Sequence, residues 1–156
     1  MKFDYIIIGA GSAGCVLSNR ISKNQNNKVA VFEAGGSSDI WKVKMPLALL
    51  YTMHDPKYNW KYYSEPEPHL NNRRLFCPRG KMIGGCSAHN GMVFVRGNKN
   101  DYERWENFGL KSWSYQKILP YFKKIENWSG GENQYRGSFG PLPINQSKND
   151  NPLFKA

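Results

Sequence analysis

The first part of the chain carries the hydrophobic pattern of a parallel βαβ unit. Residues 3–8 are apolar without alternation, which predicts a short buried parallel strand. Apolar positions then recur at helical spacing over 13–21, with polar residues between them, and predict an amphipathic helix. A second apolar run at 29–32 predicts another strand, which ends at Glu33. A strand, a helix and a second strand in this order favour an α/β fold.

The pattern is weaker through the middle of the chain. Residues 45–53 predict a short helix. Residues 54–81 are rich in proline, asparagine, arginine and aromatic residues, which predicts extended loops over the surface. The following stretch is rich in glycine and small residues, and it becomes strand-like at 92–95.

Helical patterns return in the last third of the chain. Residues 100–108 and 114–128 predict two helices, with Ser114 as the N-cap of the second and a kink at Pro120. Three shorter segments complete the pattern: a glycine-rich loop over 130–140, a strand over 142–144 and the first turn of a helix over 152–156.

The composition is that of a globular protein with an excess of positive charge. The chain has 156 residues, of which 40% are hydrophobic and 14% aromatic, and a formal net charge of +10. Its lysines and arginines are scattered and form no long basic run, so they favour a solvated surface and no nucleic-acid partner. The three cysteines form no CxxC pair, which predicts reduced thiols and no metal site.

Neither a membrane span nor a targeting segment is predicted. The longest apolar runs fall short of the roughly 20 residues that a membrane-spanning helix needs. Lys2 and the apolar residues after it resemble a signal peptide, but Asp4 interrupts the run and cleavage would remove the glycine motif that follows. We therefore expect a cytoplasmic protein with no membrane partner.

A glycine motif joins the first predicted strand to the first predicted helix. Gly9-Ala10-Gly11-Ser12-Ala13-Gly14 has the GxGxxG form, and it stands in the context that a dinucleotide-binding turn requires. Gly9 allows the tight turn, Gly11 allows a pyrophosphate to approach the backbone, and Gly14 allows the helix to pack close to the sheet. The alternative interpretation is a strand–helix turn of small residues with no ligand.

The acid at the end of the second strand refines this hypothesis. Glu33 follows the motif by about 20 residues, where a carboxylate accepts hydrogen bonds from the ribose of a bound dinucleotide. A carboxylate there also repels a ribose phosphate, which disfavours a phosphorylated nicotinamide cofactor. The motif does not separate FAD from NAD.

A second motif separates FAD from NAD, because it resembles a sequence found in one protein family. Residues 78–92 read Pro-Arg-Gly-Lys-Met-Ile-Gly-Gly-Cys-Ser-Ala-His-Asn-Gly-Met. Together with residues 4–15 and the turn Glu33-Ala34-Gly35-Gly36, this segment resembles the glucose–methanol–choline (GMC) oxidoreductases, and most closely their choline dehydrogenase and choline oxidase members. Shorter matches continue to residues 151–153, so the resemblance covers the whole chain.

The resemblance implies FAD as the cofactor and oxidation of an alcohol by hydride transfer to the flavin. It implies a residue set, in which the glycines allow close backbone approach and the short polar side chains bond to the cofactor. That set is Gly9, Ala10, Gly11, Ser12, Ala13, Gly14, Glu33, Ala34, Gly84, Gly85, Ser87, His89 and Asn90. His89 matches a histidine that some members bond covalently to the flavin, and the alternative is a histidine packed beside the ring. His54 and His69 are expected at the surface.

The resemblance also implies that the chain lacks the catalytic histidine pair, which lies much later in family members. We therefore predict no catalytic residue here. We expect an incomplete Rossmann-like FAD-binding domain over 1–140, followed at 141–156 by the start of a substrate-binding domain.

Three hypotheses for the function follow from the resemblance. An inactive, truncated fragment is the first hypothesis. Half of a split enzyme completed by a separately encoded C-terminal chain is the second, and a flavin-binding module is the third. Either strand of the βαβ unit is expected to present an open apolar edge.

Overall fold

The computed structural model describes residues 1–146. Of these residues, Met1–Val93 forms one compact unit, and those from Phe94 onward belong to a second unit. The helical turn predicted at 152–156 lies outside the described residues, and the start of a substrate-binding domain at residue 141 stays a prediction. Across residues 1–146, no helix is both long enough and apolar enough to cross a membrane.

The first unit opens with the predicted βαβ arrangement. Strand β1 covers Tyr5–Ile8, helix α1 covers Ser12–Ile21 and strand β2 covers Val29–Phe32. The two strands pair in parallel, with Tyr5 opposite Val29 and Ile8 opposite Phe32. The α/β arrangement predicted from the hydrophobic pattern is therefore confirmed.

The two-stranded sheet leaves much apolar surface uncovered. Within the described residues β1 and β2 pair only with each other, so each has an unpaired edge. Ile8 is 81% exposed and Ile6 is 62% exposed, whereas Ile7 on the opposite side of β1 is buried. An apolar strand with a free edge is the condition under which another strand can add to a sheet.

Short helices and a hairpin follow in the first unit. Helix α2 covers Trp41–Lys44, and helix α3 covers Leu49–His54 after a 3₁₀ turn that begins at Pro46. Strands β3 (Tyr62–Tyr63) and β4 (Phe76–Cys77) pair antiparallel. The helix predicted over 45–53 is present, and it begins as a 3₁₀ turn, in which Pro46 is tolerated because the first residues of a helix need no intrahelical donor.

A buried asparagine organises the long loops between α3 and residue 81. Asn59 is 2% exposed, and its amide nitrogen donates to the Met53 carbonyl. Its side-chain oxygen accepts hydrogen bonds from the backbone N–H groups of Lys61 at 3.0 Å and Arg79 at 2.8 Å. One side chain therefore ties the end of α3 to the loop segments at Lys61 and Arg79, and it adds to the backbone hydrogen bonds that Trp60 and Lys81 form between these segments.

The strand predicted at 92–95 is wrong. Residues 91–98 form no regular element. The Asn90 side-chain oxygen accepts the Met92 N–H at 2.8 Å, and Met92 has a left-handed backbone with φ 56°. Both features turn the chain away from the extended conformation that a strand requires.

The second unit contains two helices and a short parallel pair of strands. Helix α4 covers Lys99–Asn107 and helix α5 covers Tyr115–Ile125, with Pro120 inside it. Strand β5 (Glu126–Trp128) pairs in parallel with β6 (Leu142–Ile144), which confirms the strand predicted at 142–144.

The helix predicted over 114–128 is too long, because α5 ends at Ile125. Its last three residues belong to β5, because they pair with β6 instead of continuing the helix. Ser114 occupies the N-cap position, as predicted, but its side chain makes no capping hydrogen bond. Asn98 does cap α4, since its side chain accepts the Asn100 N–H at 2.9 Å.

A buried carboxylate is the centre of the second unit. Glu126 is fully buried, and its oxygens accept hydrogen bonds from the Gly137 N–H at 2.8 Å and from Arg136 at 2.9 Å. Arg96 forms a second ion pair with the same carboxylate. Burial alone would raise the pKa of Glu126, but the hydrogen bonds from Gly137 and Arg96 and the two guanidinium charges hold the pKa below its ordinary value.

We expect Glu126→Gln to destabilise the chain by about 3 kcal/mol, because it leaves two largely buried guanidinium groups without their carboxylate. The lowered pKa of Glu126 also makes stability pH-dependent. The stabilisation is present above the ordinary carboxyl pKa and is lost as the pH falls through the lowered value. Urea unfolding followed by tryptophan fluorescence at several pH values measures both effects.

The control for this prediction is Glu132→Gln. Glu132 is half exposed and pairs with Lys123 at 3.0 Å, so its loss should cost less than about 1 kcal/mol. Equal destabilisation by the two variants would contradict the role assigned to Glu126.

Candidate cofactor site

The turn between β1 and α1 is built from glycines with different tasks. Gly9 has φ +92° and donates its N–H to the Phe32 carbonyl at 2.7 Å, which joins the turn to the end of β2. A Cβ atom on Gly14 would overlap the Gly9 carbonyl oxygen, so the helix lies against the turn at a distance that only glycine allows. A Cβ atom on Gly11 would meet no atom within 4 Å. The open space beside Gly11 is where a ligand can approach the backbone.

The N-terminus of α1 is left without a partner. Gly11 is its N-cap and offers no side-chain hydrogen bond, and the first turn contains no acidic residue. The first amide groups of a helix have no intrahelical acceptor. Within the described part of the chain, the N–H groups of Gly11, Ser12 and Ala13 donate to no other acceptor either. Free amides at the positive end of a helix dipole suit an anion such as a pyrophosphate.

Glu33 fastens this turn to the segment after β2. Its carboxylate accepts the Ala10 N–H at 2.7 Å through one oxygen and the Gly35 N–H at 2.8 Å through the other. These bonds were not predicted from the sequence, which assigned Glu33 only to a ribose. Each carboxylate oxygen can accept more than one hydrogen bond, so both tasks are compatible. Ala34 lies exposed beside the carboxylate.

The two glycine motifs meet directly. Gly84 donates its N–H to the Ala10 carbonyl at 2.7 Å, and a Cβ atom on Gly85 would lie 2.8 Å from the Gly11 Cα. The hydroxyls of Ser12 and Ser87, which are 75 residues apart, are hydrogen-bonded to each other. The fold therefore brings the residues predicted from separate motifs into one site.

Close backbone contacts hold the second motif in place. A Cβ atom on Gly35 would overlap the Lys81 backbone, and one on Gly80 would overlap the Gly85 backbone. Met82, which lies between Gly80 and Gly85 in sequence, is fully buried and forms a parallel bridge with Gly36. The structural roles of Gly80 and Met82 were not predicted from the sequence. The glycines clustered around them could have indicated close backbone packing.

His89 lies at the edge of a cavity of about 180 Å³. Its side chain is buried, and its Nδ1 atom has no hydrogen-bond partner in the described structure. Burial lowers the pKa of His89, which favours the neutral imidazole. His54 and His69 are exposed, as expected. The cavity is lined by Lys42, Val43, Met45, Pro46, Leu49, Ser87, Ala88, His89, Asn90 and Met92.

A parallel βαβ unit with an uncapped helix N-terminus, a glycine turn and an acid at the end of the second strand is typical of dinucleotide-binding proteins. The second glycine motif packs against that turn, and the two motifs together point to one family within this class. A family model for the GMC oxidoreductases matches residues 3–156. The chain belongs to the GMC oxidoreductase family.

Individual relatives agree with this assignment. An oxygen-dependent choline dehydrogenase of Sinorhizobium fredii is 53% identical over 156 residues, which are 100% of this chain and 28% of the relative. A solved pyridoxine 4-oxidase from Mesorbium loti is 31% identical with a TM-score of 0.87, over 99% of this chain and 30% of the other. A formate oxidase of Aspergillus oryzae RIB40, studied for its FAD modification, is 30% identical with a TM-score of 0.77, over 92% and 26% of the two chains.

The chain therefore spans less than a third of the length of these relatives. The resemblance inferred from residues 4–15, 33–36 and 78–92 is confirmed.

We expect Gly14→Ala to destabilise the chain. The overlap with the Gly9 carbonyl should cost about 3 kcal/mol, which outweighs the roughly 1 kcal/mol that alanine gains over glycine in a helix. Thermal unfolding followed by circular dichroism measures the difference. Gly36→Ala is the matched control, because its Cβ atom would meet nothing within 4 Å and should change stability by less than about 0.5 kcal/mol. Equal stability of the two variants would refute the close packing.

Proposed function

We propose that this chain is the N-terminal FAD-binding portion of a flavin-dependent oxidoreductase that acts on CH–OH donors. The observation that carries the proposal is the meeting of two glycine motifs, where Gly85 packs against Gly11 while the other side of Gly11 stays open. A ligand at the open side of Gly11 would meet both motifs and the free amides of α1, which suit an anionic group such as the pyrophosphate of FAD. The FAD studied in the formate oxidase supports this choice of cofactor.

Several of the predicted residues would contact separate parts of FAD. The amides of Gly11, Ser12 and Ala13 would hold the pyrophosphate, and Glu33 would accept hydrogen bonds from the adenosine ribose. Ser87 and Asn90, together with the backbone around Gly84 and Gly85, would contact the ribityl chain and the flavin. FAD, when bound, would accept a hydride from the alcohol.

We further propose that the chain alone does not oxidise alcohols. The resemblance assigns the base that takes the hydroxyl proton to a histidine pair in a later part of family members, and none of His54, His69 and His89 matches that pair. On this proposal the described residues would supply the cofactor site, and catalysis would need further sequence.

A second candidate is one half of a split enzyme, completed by a separately encoded C-terminal chain. The exposed apolar residues of β1, such as Ile6 and Ile8, favour it, because further strands beside them would bury this surface. Mixing this chain with the C-terminal portion of a relative tests the candidate. Alcohol oxidation by the mixture, but by neither component, would support it.

We expect the purified chain to retain FAD after excess cofactor is removed, and Gly11→Ala to lose it. The alanine methyl would enter the open space beside the helix amides and displace a pyrophosphate, but it would touch no protein atom. The visible flavin spectrum after desalting measures retention. Thermal unfolding should show a loss of no more than about 1 kcal/mol, because alanine is a poorer N-cap residue than glycine.

Asn19→Ala, an exposed change on the same helix, is the control and should retain FAD. Soluble, folded wild-type chain without flavin would overturn the binding proposal. Retention of FAD without any oxidation on adding a C-terminal portion would instead favour the flavin-binding module.

We also propose that His89 bonds covalently to the flavin. A neutral imidazole is nucleophilic, and burial keeps His89 neutral at a cavity wall beside Ser87 and Asn90. Forming a carbon–nitrogen bond to the flavin is a two-electron oxidation of the carbon concerned, so an external electron acceptor is required.

We expect flavin fluorescence in the denatured protein band of the wild type, none in His89→Ala, and no change in His69→Ala. Because burial lowers the pKa of His89, attachment should persist below the ordinary histidine range and fail only when the pH falls through the lowered pKa. A non-fluorescent wild-type band, with FAD released on denaturation, would show that the cofactor is held without a bond.

A further inference from the structure

Asn90 and Gly91 form the only Asn-Gly pair in the sequence. Both residues are exposed, and they follow His89 at the wall of the cavity. Glycine after asparagine matters chemically, because no side chain shields the glycine nitrogen from the asparagine carboxamide. A Cβ atom on Gly91 would meet no atom within 4 Å, so the surrounding protein does not shield this peptide either.

The local geometry sets the carboxamide beside that nitrogen. The Asn90 side-chain oxygen accepts the Met92 N–H at 2.8 Å, and this Asx-turn folds the carboxamide over the Gly91 peptide bond. The same hydrogen bond stabilises negative charge on the oxygen when the carbon is attacked, as the donors of an oxyanion hole do. Within the described part of the chain, the Gly91 N–H donates no hydrogen bond, so no partner has to be given up.

We propose that Asn90 is a site of spontaneous deamidation. The Gly91 nitrogen loses its proton to a solvent base and forms a bond to the Asn90 side-chain carbonyl carbon. The bond from that carbon to the amide nitrogen breaks, and ammonia leaves. Water then opens the cyclic imide at either carbonyl and yields aspartate or isoaspartate at position 90. The sum is an amide and water giving a carboxylate and ammonia, with no change of oxidation state.

The product changes the charge of the cavity wall. A carboxylate at residue 90 would stand next to His89, and isoaspartate would also lengthen the backbone by one carbon. If FAD binds as proposed above, replacing the amide by a carboxylate would change the contacts of residue 90 with the ribityl chain and the flavin and weaken retention of the cofactor. This last consequence rests on the proposed function, whereas the deamidation does not.

The chain offers an internal control in Asn133. Its side-chain oxygen accepts the Tyr135 N–H at 2.8 Å, as in the Asx-turn of Asn90, and also the Arg136 N–H at 2.9 Å, and the residue is exposed as well. The residue after it is Gln134 instead of glycine. The ratio of deamidation at Asn90 to that at Asn133 therefore compares an Asn-Gly pair with an asparagine in a related turn that no glycine follows, and the variant Gly91→Ala isolates the effect of the glycine.

The experiment is to incubate the purified, cofactor-free chain at mildly alkaline pH in water labelled with heavy oxygen, and to map peptides by mass spectrometry. We expect labelled aspartate and isoaspartate at residue 90 several-fold faster than at residue 133, and a rate that rises with pH. Gly91→Ala should slow the reaction at residue 90 to the level of residue 133. Circular dichroism before and after incubation verifies that the fold persists.

Equal rates at residues 90 and 133 in the wild type would overturn the proposal. A rate in the folded chain far below that of a peptide of residues 86–95 would overturn it too, because the fold would then protect the site. Repeating the incubation with FAD tests the proposed function separately. Slower reaction at residue 90 with FAD supports its placement there, and an unchanged rate removes Asn90 from the cofactor site but leaves the deamidation intact.

Discussion

The contact of Gly85 with Gly11 is the constraint on which the rest of the first unit depends. A Cβ atom on Gly85 would lie 2.8 Å from the Gly11 Cα, so the two backbones touch without any side chain between them. This approach allows Gly84 to reach the Ala10 carbonyl and Ser87 to reach Ser12. Because protein interiors are close-packed, a methyl group at the contact would separate the two motifs and displace everything that follows the second one.

The electrostatics of the site follow from the same arrangement. The helix N-terminus presents free amides, its first turn carries no acid, and the nearby carboxylate of Glu33 faces the backbone N–H groups of Ala10 and Gly35. Negative charge is thereby kept away from the place where a phosphate would bind. Positive potential comes from the backbone, so it does not depend on a flexible lysine or arginine side chain.

Much of this arrangement is predictable from the sequence, because the first βαβ unit is local and its apolar runs are unambiguous. The strand predicted at 92–95 failed, since an asparagine side chain and a left-handed Met92 override the strand propensity of valine and phenylalanine. The predicted end of α5 was wrong, because the pairing of residues 126–128 with β6 sets where the helix stops. The ion pairs of Glu126 reach Arg96 and Arg136, which are 30 and 10 residues away and share no helical or strand spacing with it, so only the three-dimensional structure reveals them.

The two hydrogen bonds of Glu33 have a thermodynamic consequence. They join the β1–α1 turn to the end of β2 through protein groups alone, so the turn has its shape before any ligand arrives. A site with its loop already ordered loses little conformational entropy on binding, and more of the contact energy appears as affinity. Association would then be limited by diffusion and desolvation of the ligand more than by rearrangement of this turn.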